Sequence, residues 1–446
     1  MAPKLLLLTP LLLIGCATVS NDEFIKPYQA QRDKLTSSAI PATGFDVNEA
    51  KPMLELCIEL NNQDDRTNSQ LLDPANYLAK PVDWDLAYDS RNPGNTEWNK
   101  IWPYSDEDKA QGKPNPNDIK TNGLEPLNNA WLLAKSRTEP GHYAIAIRGT
   151  VAEMQSILAD AYATTLPAYA GIEYHQDKPL PIVFASTPMA EVHLGFAYAS
   201  MALLFDDGRG ILTQLKKVLQ QEPIRKLYIT GHSQGAAVAT LIHAFLYYAI
   251  NDNQIPYGLQ ALQNTAIKSY LFAQPKPGNL QFAQDFARIA KDKAFVINND
   301  RDPVPQVPLS REIISEVAAY VEADNADIAV GSFFDRLLSK ITSVKNDIRG
   351  SLAELPIDMM ANKFNNANIG QSINEYFADS TIKLEDSEAK SLNYTMAGQL
   401  IPVFGIAKGG DLYPIVKIGG KEKREILLQH HATSYRKLIQ QQLSTP

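Results

Sequence analysis

A serine set between glycines at fixed spacing is the first feature of this 446-residue chain with a chemical consequence: Gly231-His-Ser-Gln-Gly235. A serine hydroxyl is a poor nucleophile until a base takes its proton, and that base needs a carboxylate to hold its tautomer and stabilise the imidazolium that forms. An aspartate and a histidine downstream of Ser233 would complete such a set. Asp300 and Asp302 lie in Asn299-Asp-Arg-Asp-Pro-Val-Pro305, and of the seven histidines only His430 and His431 follow them. The chemistry available to these residues is acyl transfer through a covalent intermediate that water then hydrolyses.

The elements that must position them are legible around each. Residues 227–230 favour a strand, and in the alanine-rich stretch after Gly235 the residues Val238, Leu241, Ile242, Phe245 and Leu246 recur at helical spacing. Strand, tight turn and helix therefore follow one another. On such a turn the serine is strained and turned into a cleft, and flanking glycines let the backbone fold that tightly. The helix start supplies N–H groups and a positive dipole end that favour an oxyanion. The five-letter pattern alone arises by chance in on the order of one chain in ten of this length, so the context carries the reading. His232, inside the pattern, reads as a packing or turn residue. Strand-like runs at 267–273 and 294–298 bracket a helix reaching about residue 290, and the second run ends at the two aspartates. Strand ends are where an open α/β sheet places its chemistry. Upstream, runs at 131–135 and 143–148 flank the turn Glu139-Pro-Gly141; the second stops at Gly149, where a strand end delivers backbone donors.

Five segments in this order resemble the class 3, fungal-type lipases of the α/β-hydrolase superfamily: Ile147-Arg-Gly-Thr150, Val192-His-Leu-Gly-Phe196, Gly231-His-Ser-Gln-Gly235, Ala273-Gln-Pro-Lys-Pro-Gly-Asn279 and Asn298-Asn-Asp-Arg-Asp-Pro-Val-Pro305. The likeness covers residues 131–308 well and the C-terminal part thinly. It implies an α/β fold with a mostly parallel central sheet flanked by helices, and an acyl ester or lipid substrate. It implies Ser233 as nucleophile and, as the aspartate directly before Pro-Val-Pro, Asp302 as the acid; Asp300 is left to cap or to pair with Arg301. Tyr435, five residues on, favours His430 as the base, with His431 the alternative. Thr150 and the backbone N–H of Gln234 are implied as the oxyanion donors. In the family a short helix after Thr150 is a lid; here residues 151–162 carry one apolar face, which equally suits a helix facing the core. The match at Val192 implies that His193 orients backbone. Phospholipase A or thioesterase action would use the same residues, and a lipid-tethered protein that keeps the fold for binding alone is the reading of another class.

The rest of the chain sets the frame. A net charge of −8 and a pI near 5.5 offer no basic footprint for nucleic acid. Residues 1–15 read as a secretion signal, and Leu13-Ile-Gly-Cys16 resembles the bacterial lipoprotein box, which implies cleavage before Cys16 and acylation of its thiol. Ala17 follows in place of an aspartate, so the expected address is the outer membrane of a bacterial envelope, with the membrane surface as a partner. Residues 16–80 read as a tether with one helix, residues 81–446 as the catalytic domain, and residues 310–390 as a mainly helical insertion before the C-terminal histidine. Residues 83–122, rich in Pro, Asn, Gly and Asp, read as surface loops, and residues 165–189 as an insertion. Cys57 lies in an apolar run and reads as a small buried hydrophobe, leaving no disulfide. No Cys/His spacing suggests a metal and no glycine-rich loop suggests a phosphate cofactor. His142 and His175 fall in loops without evident partners.

Overall fold

A computed structural model gives the architecture of residues 42–61, 83–91, 129–149, 165–170, 182–205, 209–251, 257–308, 394–405, 415–418, 421–424 and 426–443. In chain order the elements are α1 (Val47–Asn61), β1 (Trp84–Asp89), β2 (Trp131–Ser136), β3 (His142–Ile147), β4 (Thr165–Pro167), β5 (Tyr169–Ala170), β6 (Ile182–Val183) and β7 (Glu191–His193). There follow α2 (Leu194–Phe205), α3 (Ile211–Leu219), β8 (Lys226–His232), α4 (Gln234–Asn251), β9 (Ala266–Phe272), β10 (Gly278–Asn279), α5 (Leu280–Ile289) and β11 (Ala294–Asn299). The chain ends through β12 (Tyr394–Thr395), β13 (Gln399–Val403), β14 (Ile415–Ile418), β15 (Lys421–Arg424) and α6 (Ala432–Gln442).

Seven strands form the central sheet in the order β1-β2-β3-β8-β9-β11-β13. The first three pair antiparallel; from β3 onward every pairing is parallel. A sheet buried on both faces needs apolar residues on both, and alternation along each strand divides them. In β3, Tyr143, Ile145 and Ile147 join the apolar cluster that holds α2, α3, α4 and α5, whereas Ala144 and Ala146 join the one that holds α1 and α6. The small side chains let α1 lie close over β3 and β8. Smaller sheets, β12-β10-β7-β4, β5-β6 and β14-β15, complete the described structure.

Three expectations change. The segment after residue 83 begins with strand β1 at the sheet edge, not with loop. A shift of pairing register between Leu86 and Tyr88 sends Trp84 and Leu86 to one face and Tyr88 to the other, which hides the alternation in the sequence. The helix assigned to the tether is α1, and it packs on the central sheet with Cys57 fully buried, so the domain extends upstream of residue 81. Within the supposed insertion at 165–189, β4 pairs with β7 and β5 with β6, tying its ends into the fold. Residues 1–41, 150–164, 171–181 and 309–393 lie outside the described residues, and with them Cys16, Thr150, the supposed lid, His175 and the helical insertion. Where the chain returns, Gln274 brackets it: its Nε2 donates to Ala397 O at 2.9 Å and its Oε1 accepts from Ala397 N at 3.2 Å.

Candidate active site

Strand β8 delivers Ser233 at its end. Ser233 N still donates to Phe272 O on β9 at 2.9 Å, Ser233 O accepts from Ala236 N at 2.9 Å, and between these bonds the residue is bent to φ 63°. A non-glycine residue held there costs about 1–3 kcal/mol, which the surrounding bonds sustain. The flanking glycines are steric necessities. A Cβ on Gly231 would sit 2.2 Å from Gly235 O, and one on Gly235 would sit 2.2 Å from Ile147 O.

Three residues far apart in sequence meet at this bend. His430 Nε2 lies 2.9 Å from Ser233 Oγ, and His430 Nδ1 lies 2.9 Å from Asp302 Oδ2. The acceptor at Nδ1 is a carboxylate, so in the neutral ring Nδ1–H donates to Asp302 and Nε2 accepts from the serine hydroxyl. Ser233 and His430 are both buried, at 4% and 5% exposure.

Asp302 is held on both oxygens. It follows β11 through a turn in which Asp302 N donates to Asn299 O at 3.0 Å, and its Oδ1 accepts from Val304 N at 2.9 Å. Its Oδ2 accepts from Tyr435 OH at 2.8 Å as well as from His430. Tyr435 in turn accepts from Asn299 N at 3.0 Å. Burial, reinforced by the charge of Asp302, pushes the Tyr435 phenol well above its usual range and keeps it a donor. Asp300 is engaged elsewhere: its Oδ1 accepts from Gly405 N at 2.8 Å and its Oδ2 lies 3.3 Å from Arg301 Nε, the pairing expected from sequence.

His430 is held through its backbone as well. His430 follows the short turn Ile426–Gln429, and its carbonyl accepts from His232 Nε2 at 2.8 Å. Burial holds His232 well below the ordinary imidazole value, so His232 stays neutral with its proton on Nε2. Asn299 Nδ2 donates to both Gln429 O and Gln429 Oε1 at 3.0 Å, anchoring the turn one residue ahead. His431 takes the N-cap position of α6 and its residue is exposed; between the two tandem histidines, it is His430 that meets Ser233.

Gln234 opens α4 and is buried. A Cβ on Gly149 would lie 3.0 Å from His232 O and 3.6 Å from Gln234 N, so the end of β3 and the start of α4 meet beside Ser233. His193 orients backbone as expected, its Nδ1 accepting from Gly195 N at 3.1 Å at the start of α2. His142 begins β3 instead of sitting in a loop, with Nδ1 2.7 Å from Glu139 Oε2. Among the described residues no group of His, Cys, Asp and Glu is placed to hold a metal ion, and no helix is long and apolar enough to cross a membrane.

Sequence reasoning missed the roles of His232, Asn299 and Gln429, and used Tyr435 only as a marker for its neighbour. Each acts through a contact between strands and helices distant in sequence, so no local pattern announces it.

The family model described as Lipase (class 3) matches residues 144–312. A secreted mono- and diacylglycerol lipase of Malassezia restricta is 29% identical over 169 residues, 38% of this chain and 47% of its own length. One of Penicillium cyclopium is 36% identical over 116 residues, 26% of this chain and 32% of its own. A phospholipase A1 of rice is 31% identical over 102 residues, 22% and 25% of the two chains. The chain thus spans less than half the length of the curated relatives it matches. Among solved structures, the M37 lipase is 18% identical with a TM-score of 0.38, covering 70% of this chain and 73% of its own. The mono- and diacylglycerol lipase of Aspergillus oryzae is 22% identical with a TM-score of 0.30, covering 41% and 54%. The sheet order and the family match, not these superpositions, establish the α/β-hydrolase fold. The match to the class 3 lipase family falls on residues 144–312, the stretch that carries both Ser233 and Asp302.

Proposed function

We propose that the protein is a serine hydrolase that cleaves carboxylic esters of lipids through an acyl-enzyme. The observation that carries this is the line from Ser233 Oγ to His430 to Asp302, two hydrogen bonds of 2.9 Å each with every member held from behind. His430 Nε2 takes the serine proton as Oγ attacks the ester carbonyl. The backbone N–H of Gln234, with Thr150, receives the oxyanion, a contribution of about 3 kcal/mol per donor in such sites. Asp302, oriented by Tyr435, stabilises the imidazolium. Collapse of the tetrahedral adduct expels the alcohol, which takes the proton from His430. Water, deprotonated by the same imidazole, then attacks the acyl-enzyme and releases the acid.

The curated relatives that act on mono- and diacylglycerols favour neutral glycerides as substrates. The likeness to a rice phospholipase A1 favours phospholipid as the second reading. Ser233→Ala and His430→Ala are expected to lower the hydrolysis of short-chain esters, diacylglycerol and phospholipid at least about 10³-fold, and His431→Ala to leave it intact. A Ser233→Ala protein that keeps its activity would overturn the mechanism, and the substrate lost most from wild type to variant identifies the class. The sequence around Cys16 supports a protein anchored by acyl chains on the outer membrane of a bacterial envelope.

A further inference from the structure

We infer that α1 is a splint that sets the spacing between nucleophile and base, and that Glu55 is a positioning residue acting through Arg436; the inference rests on the hydrolase reading above. Ser233 and His430 are 197 residues apart in sequence. One ends a strand in the middle of the sheet, and the other precedes α6, which lies over a face of the sheet. A proton passes between them only if the two bodies keep their distance. α1 touches both, and both α1 and α6 lie outside the stretch 144–312 that matches the family model.

The attachments of α1 are directional at each end and in the middle. In its first turn Glu49 pairs with the ammonium groups of Lys226 and Lys268 and accepts from Tyr228 OH at 3.0 Å and Tyr270 OH at 2.5 Å, which pins the helix to the starts of β8 and β9. One turn on, Met53 O and Cys57 Sγ each lie 3.4 Å from Thr230 Oγ1, three residues before Ser233. Between them Glu55 takes Arg436 of α6 in a two-point pair, Nε to Oε1 at 2.6 Å and Nη2 to Oε2 at 2.7 Å. At the far end Arg91 Nη1 donates to Leu60 O at 3.0 Å.

A planar guanidinium on a planar carboxylate fixes angle as well as distance, which a single ammonium contact does not. Arg436 is the neighbour of Tyr435, and consecutive residues on a helix point about 100° apart. From one turn of α6, one side chain therefore reaches α1 while the other reaches Asp302. Any slide or roll of α6 against α1 moves the Tyr435 hydroxyl and the His430 that precedes it. The pair is buried, with side chains 5% and 9% exposed, and a buried ion pair is often replaced by apolar residues without loss of stability. Registration of α6 is what the pair adds.

The test reads Ser233 directly. A fluorophosphonate probe labels an activated serine whether or not an ester substrate is known, and its rate is compared with kcat and KM on a short-chain ester. The Glu55→Leu, Arg436→Met double variant removes the direction of the contact and keeps apolar packing. Arg436→Lys keeps the charge and loses the fork, and is the folded comparison should the first variant fail to fold. The expected result is an unchanged KM with the labelling rate and kcat lowered about tenfold, the size of a sub-ångström misplacement. Labelling and kcat at wild-type rates in a folded variant would overturn the splint. A wild type that labels at Ser233 but turns over no ester overturns the substrate reading alone. A wild type that does not label overturns both.

Discussion

Replacing Tyr435 with Phe removes one oxygen from the interior and tests whether the proposed role of Asp302 needs it held from behind. That hydroxyl donates to Asp302 Oδ2 at 2.8 Å and accepts from Asn299 N at 3.0 Å, and both Tyr435 and Asn299 are buried. A hydrogen bond to a charged group contributes about 1.5–3 kcal/mol, and an amide left without an acceptor in the interior costs about 1–3 kcal/mol. The two losses overlap, so the variant is expected to lose about 2–4 kcal/mol of folding stability. Catalysis suffers differently. With Oδ1 still held by Val304 N, the carboxylate keeps its place but gains freedom of rotation toward His430. A loss of about 1–2 kcal/mol in the transition state lowers kcat about five- to thirtyfold. KM stays, because the phenol reaches Asp302 rather than the serine. Urea unfolding and steady-state kinetics on a soluble ester read the two effects separately. A variant with kcat within twofold of wild type would show that Asp302 is oriented without the phenol, and the reasoning would be wrong.

Two further outcomes follow from the same structure. Burial pushes the Glu49 carboxyl up, but hydrogen bonds from Lys226, Lys268 and Tyr270 outweigh it and hold it at about 2, below its ordinary value of 4.5. A depressed carboxyl stabilises the fold above its unfolded value, by at most about 3 kcal/mol here, and loses that contribution as pH falls toward 2. Glu49→Gln should therefore be less stable at pH 7, with the gap from wild type closing between about pH 4.5 and 2 in denaturant titrations; a constant gap refutes this. Growth with a radiolabelled fatty acid should label the wild-type protein and leave Cys16→Ala unlabelled, and a label that survives the substitution removes the lipoprotein reading.

Ser233, Asp302 and His430 were legible because each stands where a local pattern changes: a strand running into a glycine-bounded turn, a strand ending before Pro-Val-Pro, and a histidine ahead of an amphipathic helix. Strands β2, β3, β8, β9 and β11 were legible from alternation or an apolar run. The edge strand β1 was not, because the irregularity between Leu86 and Tyr88 breaks its alternation and its composition resembles a loop. Nor was the membership of α1 in the domain, since an apolar helix face does not say which sheet it covers. His232 shows the same limit from the other side. Its place in the glycine pattern was plain, but its partner is a carbonyl 198 residues away.

The bracket that Gln274 makes around Ala397, together with the pairing of β11 and β13, clamps both mouths of the stretch between Pro308 and Tyr394. The entropy of closing a flexible excursion grows only logarithmically, by about 0.6 kcal/mol for each doubling of length. Anchors so placed let the length of chain between them vary at small entropic cost. The hydrogen bonds that join Ser233, His430 and Asp302 rest on β8, β11 and α6, on the described side of both anchors.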